Sequence, residues 1–384
     1  MGFNTAILGA LLVVQAGPID TLVVRADTPA MELQAVEELR IGSLDGPEES
    51  SFGYIDAVAV APGGTLYVAD VQVPVVRVFD PSGIYLGDLG RKGEGPGEYI
   101  AIRGITALPD GEVAVWHEMG EVTVFDRDRQ FARRFSVRLN SIAGGVGPGI
   151  VADTSGHVFV RTTASRALWS TPQVIRYAWV RYSSSGEFLD SIVSPDRDLA
   201  GSPFAFRSET FSAPSPHGYF VTGRTTEYAI SRPLRDGRVL RIERDFDPIP
   251  IEGDERSQWE RYVQEIESRR GEEFPRMHGT KPAWKDFRLA ADGRIWVRRY
   301  STAEHVLGHE TRASAVGDLP TVQWVEPLLY DVLDPRGSYV GSVVLPAEAE
   351  MLFAQGQFVW TLERGRFDEP YVVRYRVDGL PGAD

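Results

Sequence analysis

The sequence predicts an all-β fold: one six-bladed β-propeller of four-stranded antiparallel blades, closed by an N-terminal strand, with a helical insert between blades 4 and 5. Three observations predict it. Glycine turns between short apolar runs recur six times, a second hairpin follows in most copies, and the last copy lacks its outer strand. A length of 384 residues would otherwise suggest two or three domains, but one closed ring of repeats can absorb the whole chain.

The first copy of the unit is Val58-Ala59-Val60, the turn Ala61-Pro62-Gly63-Gly64, then Leu66-Tyr67-Val68. It returns as Thr106-Ala107-Leu108, Pro109-Asp110-Gly111 and Val113-Ala114-Val115, and again around Gly156, Gly218, Gly293 and Gly356, with turn spacings of 47, 45, 62, 75 and 63 residues. Glycine at these turns supplies the positive φ that tight hairpins need. The run after each turn is apolar at almost every position, as expected for a strand covered on both faces. Arg77-Val78-Phe79-Asp80-Pro81-Ser82-Gly83 leads into Ile84-Tyr85-Leu86, and similar second hairpins follow in most later copies. Two hairpins per copy make a four-stranded blade.

After Gly379 only five residues remain, too few for a final outer strand. Leu33 to Ile41 (LQAVEELRI) is therefore predicted to pair with the last blade and close the ring, the alternative being a short helix over 30–39. Between blades 4 and 5, Trp259, Tyr262, Val263 and Ile266 recur at i, i+3, i+4, i+7, which predicts an amphipathic helix from Asp254 to Arg270 with Asp254 as N-cap. The whole insert spans about 252–283. It reads either as a lid over the central mouth or as a decoration of the rim.

Composition bounds the function. The hydrophobic fraction of 43% is ample for a core, and 39 Gly and 25 Pro provide the turns of an all-β chain. A net charge of −14 disfavours nucleic acid and anionic membrane surfaces. Lys92, Lys281 and Lys285 are the only lysines, so arginine is the default cation. Without Cys there is no disulfide, thiol nucleophile or Cys-ligated metal. The apolar run Ala6 to Val14, followed by Val14-Gln15-Ala16, reads as a secretory signal over 1–16, the alternative being a buried N-terminal strand; the propeller then occupies 17–384 in a periplasmic or secreted monomer.

Six copies of strand, Pro/Asp-Gly turn, strand and Val-Phe-Asp-x-x-Gly resemble the NHL-like six-bladed propellers found among exported bacterial proteins, many of unknown function. The Gly-rich connection from Gly90 to Tyr99 and the segment Phe287 to Arg298 after the insert fit the same resemblance, which covers about residues 30–378. It is specific for fold and nearly silent on activity, since propellers host binders, lyases, lactonases and hydrolases alike.

Known propeller chemistries fit poorly. The calcium-dependent lactonases to which such propellers are compared use Asn side chains beside carboxylates, and this chain has only Asn4 and Asn140. Amidating lyases use several His on zinc, but His157 and His217 fall in turns, and His305 and His309 flank a glycine. Asp196 and Asp198 lack the rest of a calcium loop, and no G-x-S-x-G is present. Glu94 and Glu98 argue against phosphate binding in the Gly-rich loop. No cofactor and no metal are expected.

What remains is the rim where the second strand of each blade ends. Asp70, His117, Arg161 and Arg298 are expected there, with Arg91, Arg207, Trp284 and Lys285 on connections of the same side. Such a ring could hold an anionic or sugar-like ligand, or could consist of salt bridges between blades. The expected function is a non-catalytic propeller binding a ligand or protein partner at the central mouth. The alternative is a hydrolase or lyase at the same mouth with His117 and Asp70 as acid–base pair.

Overall fold

The computed structural model describes residues 21–26, 31–117, 120–137, 149–163, 177–193, 205–307, 319–347 and 349–382. The expected signal segment, Asn140, Asp196, Asp198 and His309 lie outside the described residues.

Alternating apolar runs pair locally into four-stranded antiparallel blades. Blade 1 is Ile55–Val60, Leu66–Asp70, Val75–Phe79 and Tyr85–Leu89, and blade 2 is Ile102–Ala107, Val113–His117, Glu121–Phe125 and Phe131–Ser136. Blade 3 starts from a short inner strand, Ile150–Ala152, and continues through Val158–Thr163, Tyr177–Tyr182 and Phe188–Val193. Blades 4 and 5 start at Thr210–Pro214 and Trp284–Leu289, and blade 6 at Glu350–Gln355. The six turn glycines all hold positive φ, from 58° at Gly356 to 90° at Gly111. In the second hairpin of blade 2, Arg129 takes that role at φ 64°, and its guanidinium donates to the Leu86 carbonyl of blade 1 at 2.8 Å.

The second strands are buried from end to end in blades 1 and 2. Their side chains form the apolar layers between blades: Val76 and Val78 pack with Ile105 and Val113 between blades 1 and 2, and Ile295 and Val297 pack with Val221 and Ile230 between blades 4 and 5.

Two N-terminal strands complete the ring. Strand β1 (Thr21–Arg25) runs parallel to Val239–Glu243 as a fifth strand on blade 4, a pairing the sequence reading did not anticipate. Strand β2 (Glu32–Ile41) begins beside the outer strand of blade 5 and then pairs antiparallel with Pro370–Asp378, from Gln34↔Asp378 to Ile41↔Val372. It is the missing outer strand of blade 6, as expected from 33–41, and not a helix. Leu33 and Ile41 bury the inward side of its alternation.

Helix α1 (Gly253–Arg270) interrupts the blades where the periodicity predicts it. Its N-cap is Glu252, so Asp254 lies within the first turn, where its carboxylate accepts from Gln258 at 2.7 Å. Tyr262 and Ile266 pack on Val322, and Trp259 stands edge-on to Phe206 with ring centroids 5.6 Å apart. Among the described residues no helix is long and apolar enough to cross a membrane.

Candidate functional site

The inner strands of all six blades wall a central cavity of about 370 Å³. Most of the wall is apolar, from Val58 and Val60 of blade 1 through Phe211, Phe287 and Leu289 to Leu352 and Phe353 of blade 6. Outside this wall, three charged residues share one level, each at an irregularity in its strand. The pairing of blade 1 skips Asp56 between Ile55 and Ala57, that of blade 2 skips Arg103 between Ile102 and Gly104, and that of blade 5 skips Lys285 between Trp284 and Asp286. Each is a β-bulge, which places an extra residue outside the in-out alternation and re-aims its side chain. All three stand five residues before the first residue of the inner turn (Ala61, Leu108 and Ala290).

Blade 3 reaches the same region differently. Arg161 on its second strand, whose backbone N–H donates to the Gly149 carbonyl at 2.8 Å, lines the cavity with its guanidinium carbon 6.0 Å from the centre of the Trp179 ring. These charges sense one another. Asp56 contacts solvent, yet the surrounding wall desolvates its carboxylate and raises its pKa; Glu350 of blade 6 adds to the rise, while Arg103 and Arg161 oppose it. Asp56, Arg103, Arg161 and Glu350 thus bring four blades into one mixed-charge collar, of which Arg161 also lines the apolar shaft of the cavity.

The residues expected at the mouth have different fates. Asp70 is fully buried, and its carboxylate accepts the backbone N–H groups of Gly53, Tyr54, Gln72 and Val73 at 2.7 to 3.3 Å, which ties down blade 1 connections and leaves no face for a ligand. His117 is also buried, its Nε2 2.9 Å from Thr123 Oγ1. Trp284 is a core residue whose indole N–H donates to the Glu227 carbonyl at 2.8 Å. Strand-end position alone does not expose a side chain when the neighbouring loop folds back over it.

Arg91 is exposed and pairs with Glu98 at 2.6 Å across the Gly-rich connection. That connection is held by Arg134, which donates to the carbonyls of Gly95 and Glu98 at 2.6 and 3.0 Å, consistent with a crossover between blades and not a phosphate loop. Arg207 pairs with Glu209 at 3.3 Å. Lys285 and Arg298 do come together: Lys285 pairs with Glu326 at 2.9 Å and lies 4.6 Å from the Tyr300 ring centre, and Arg298 faces Asp286 at 3.7 Å. Desolvation lowers the Lys285 pKa, Glu326 opposes the shift, and the Arg298 charge adds to it.

Of the predicted set, then, Arg161 lines the cavity, while Lys285 and Arg298 form a pair of cations on blade 5. The sequence reading missed Asp56, Arg103, Arg288 and Glu350. Their signal is a charged residue inside an otherwise apolar inner strand, whereas the expected residues stand at the ends of second strands and on connections. Among the described residues, helix α1 contributes none to the cavity wall. Among the described residues no three His, Asp or Glu side chains cluster as metal ligands.

A family model described as 6-bladed beta-propeller (DUF5128) matches residues 25–134, which hold β2 and blades 1 and 2. The fold is a six-bladed β-propeller. A member of the DUF4221 family from Bacteroides vulgatus superposes with a TM-score of 0.53 at 11% identity, over 92% of this chain and 99% of its own. This likeness concerns fold alone. A Bacteroides fragilis protein described as exported aligns with a TM-score of 0.48 at 9% identity, covering 93% of this chain and 99% of its own. A gluconolactonase from Xanthomonas campestris aligns with a TM-score of 0.42 at 13% identity, over 91% of this chain and 98% of its own. The last two are too loose to carry an argument. No curated protein matches the sequence.

Proposed function

We propose that this propeller is an exported, non-catalytic binding protein that takes a small organic anion at its central mouth. One observation carries the reading. In a chain of net charge −14, the charged residues lining the cavity among the described residues are Arg161, Arg288 and Asp153, and the Asp153 carboxylate is already engaged. Its oxygens accept from the backbone N–H groups of Ser155 and His157 at 2.9 Å and lie 3.0 Å from His157 Nδ1. Two guanidiniums against one carboxylate give the described wall an excess of positive charge that favours an anion, with Asp56 and Glu350 standing beside Arg161 outside the wall. Export rests on the apolar run Ala6 to Val14 and the small residues after it.

A second reading, a hydrolase or lyase at the same mouth, draws support from Asp56. A carboxyl group with a raised pKa beside Glu350 is a plausible proton donor in a cleft. His117 and Asp70 are no longer its best residues, because both are buried in structural hydrogen bonds.

The two readings separate in one experiment. Residues 17–384 are incubated with a panel of organic acids, sugar acids, lactones and short peptides, with melting temperature and consumption followed together. The binding reading expects a raised melting temperature with acids and no consumption. Turnover of any panel member, lost in Asp56→Asn, would establish the enzyme instead.

A further inference from the structure

We infer that the ligand is an amphiphilic monocarboxylate, with a medium-length acyl chain in the apolar shaft and its carboxylate on Arg288 and Arg161. The inference rests on the reading of the cavity as an anion-binding mouth and names the class of anion.

The shaft is unsuited to a polar anion. Polar side chains such as Thr106, Ser212 and Gln355 are a minority of the described wall, which is otherwise mostly aliphatic and aromatic, with Phe211, Phe287 and Phe353 contributed by blades 4, 5 and 6. A sugar acid placed there would surrender the hydration of its hydroxyls to surfaces with few partners for them, at a cost of roughly 1–3 kcal/mol per unsatisfied group. An acyl chain loses nothing of the kind and gains roughly 0.8 kcal/mol for each methylene removed from water. The cavity of about 370 Å³ equals the share of about a dozen waters at ~30 Å³ each, room for a chain of medium length.

The head group is set by two cations of different standing. Arg161 stacks toward Trp179 from blade 3. Arg288 sits on the inner strand of blade 5 and lines the cavity half-buried. Its guanidinium forms no hydrogen bond or ion pair among the described residues, whereas Arg91, Arg207 and Arg298 each face a carboxylate. A guanidinium held in an apolar wall without a carboxylate partner is a receptor for one, and the planar fork suits bidentate binding.

The test is titration calorimetry of residues 17–384 with hexanoate, octanoate and decanoate, with gluconate as the polar acid and 1-octanol as the neutral analogue. The chain series is expected to tighten about threefold to fourfold per methylene, with octanoate well ahead of gluconate. Arg288→Met should weaken octanoate roughly tenfold and leave 1-octanol unchanged, while Arg288→Lys recovers part of the loss. A merely structural role for Arg288 would move both ligands together. The wild-type series stands whether or not the variants fold. If gluconate binds and affinity is flat along the acyl series, the anion mouth survives and the acyl assignment is overturned. If no acid binds, both are overturned.

Discussion

Lys281 Nζ lies 2.8 Å from Glu255 Oε1 and 2.9 Å from Glu326 Oε1, fully buried where helix α1 meets blade 5. It also donates to the Ser301 carbonyl at 3.0 Å, and Glu326 turns its other oxygen to Lys285. Two of only three lysines in an arginine-rich chain thus sit in one buried network. A compact ammonium fits between two carboxylates and a carbonyl where a planar guanidinium would not. Lys281→Met should destabilise the protein by about 3–5 kcal/mol by leaving Glu255 uncompensated and Glu326 with Lys285 alone, read as a lowered denaturation midpoint. Adding Glu255→Gln should recover part of that loss.

Asp331 clasps blade 4 to blade 5. Its buried carboxylate accepts from Tyr228 Oη and from Arg244, both at 2.9 Å, and lies 3.6 Å from Arg299. Asp331→Ala strands two guanidiniums and a buried hydroxyl, so a loss of about 3–5 kcal/mol is expected in chemical denaturation. Tyr228→Phe removes one neutral donor to a charged acceptor and should cost about 1.5–3 kcal/mol.

Ring closure depends on β2. Leu33 is buried among Val343, Val377 and Leu380, between blades 5 and 6. Leu33→Ala should cost about 2–5 kcal/mol as a core truncation, whereas Val36→Ala, on the exposed side of the same strand, should change stability by less than about 0.5 kcal/mol. Equal losses from the two substitutions would argue against this register.

The raised pKa of Asp56 has a signed consequence. Its folded-state value lies above its unfolded value because of desolvation and Glu350. Ionisation therefore opposes folding: stability is lost as pH rises from the ordinary carboxylate range through the folded value. Asp56→Asn should raise the melting temperature at neutral pH and have no such benefit at pH 3, where the wild-type carboxyl is already neutral. The effect should be modest, because the group still reaches solvent.

Much of this architecture was legible in the residues because it is local. The turn glycines, the doubly apolar second strands and the orphan strand at 33–41 each solve a short-range problem of φ, burial or pairing. Helix α1 was legible for the same reason, to within one residue of its start. The collar was harder to see. Asp56, Arg103 and Lys285 break the alternation by bulging, and Arg161 lines the cavity from a second strand and not from an inner one. Neither feature is visible in the spacing of turns. Asp70 misled for the opposite reason: a carboxylate at a strand end looks available until the loop from Gly53 folds onto it.

The most direct test of the central claim is the double substitution Arg161→Met with Arg288→Met, compared with wild type against the organic-acid panel by thermal shift. The account predicts that wild type is stabilised by acids in a salt-sensitive way and that the double variant, still folded, loses this response. Undiminished stabilisation of the double variant would contradict it and move the binding site out of the central cavity.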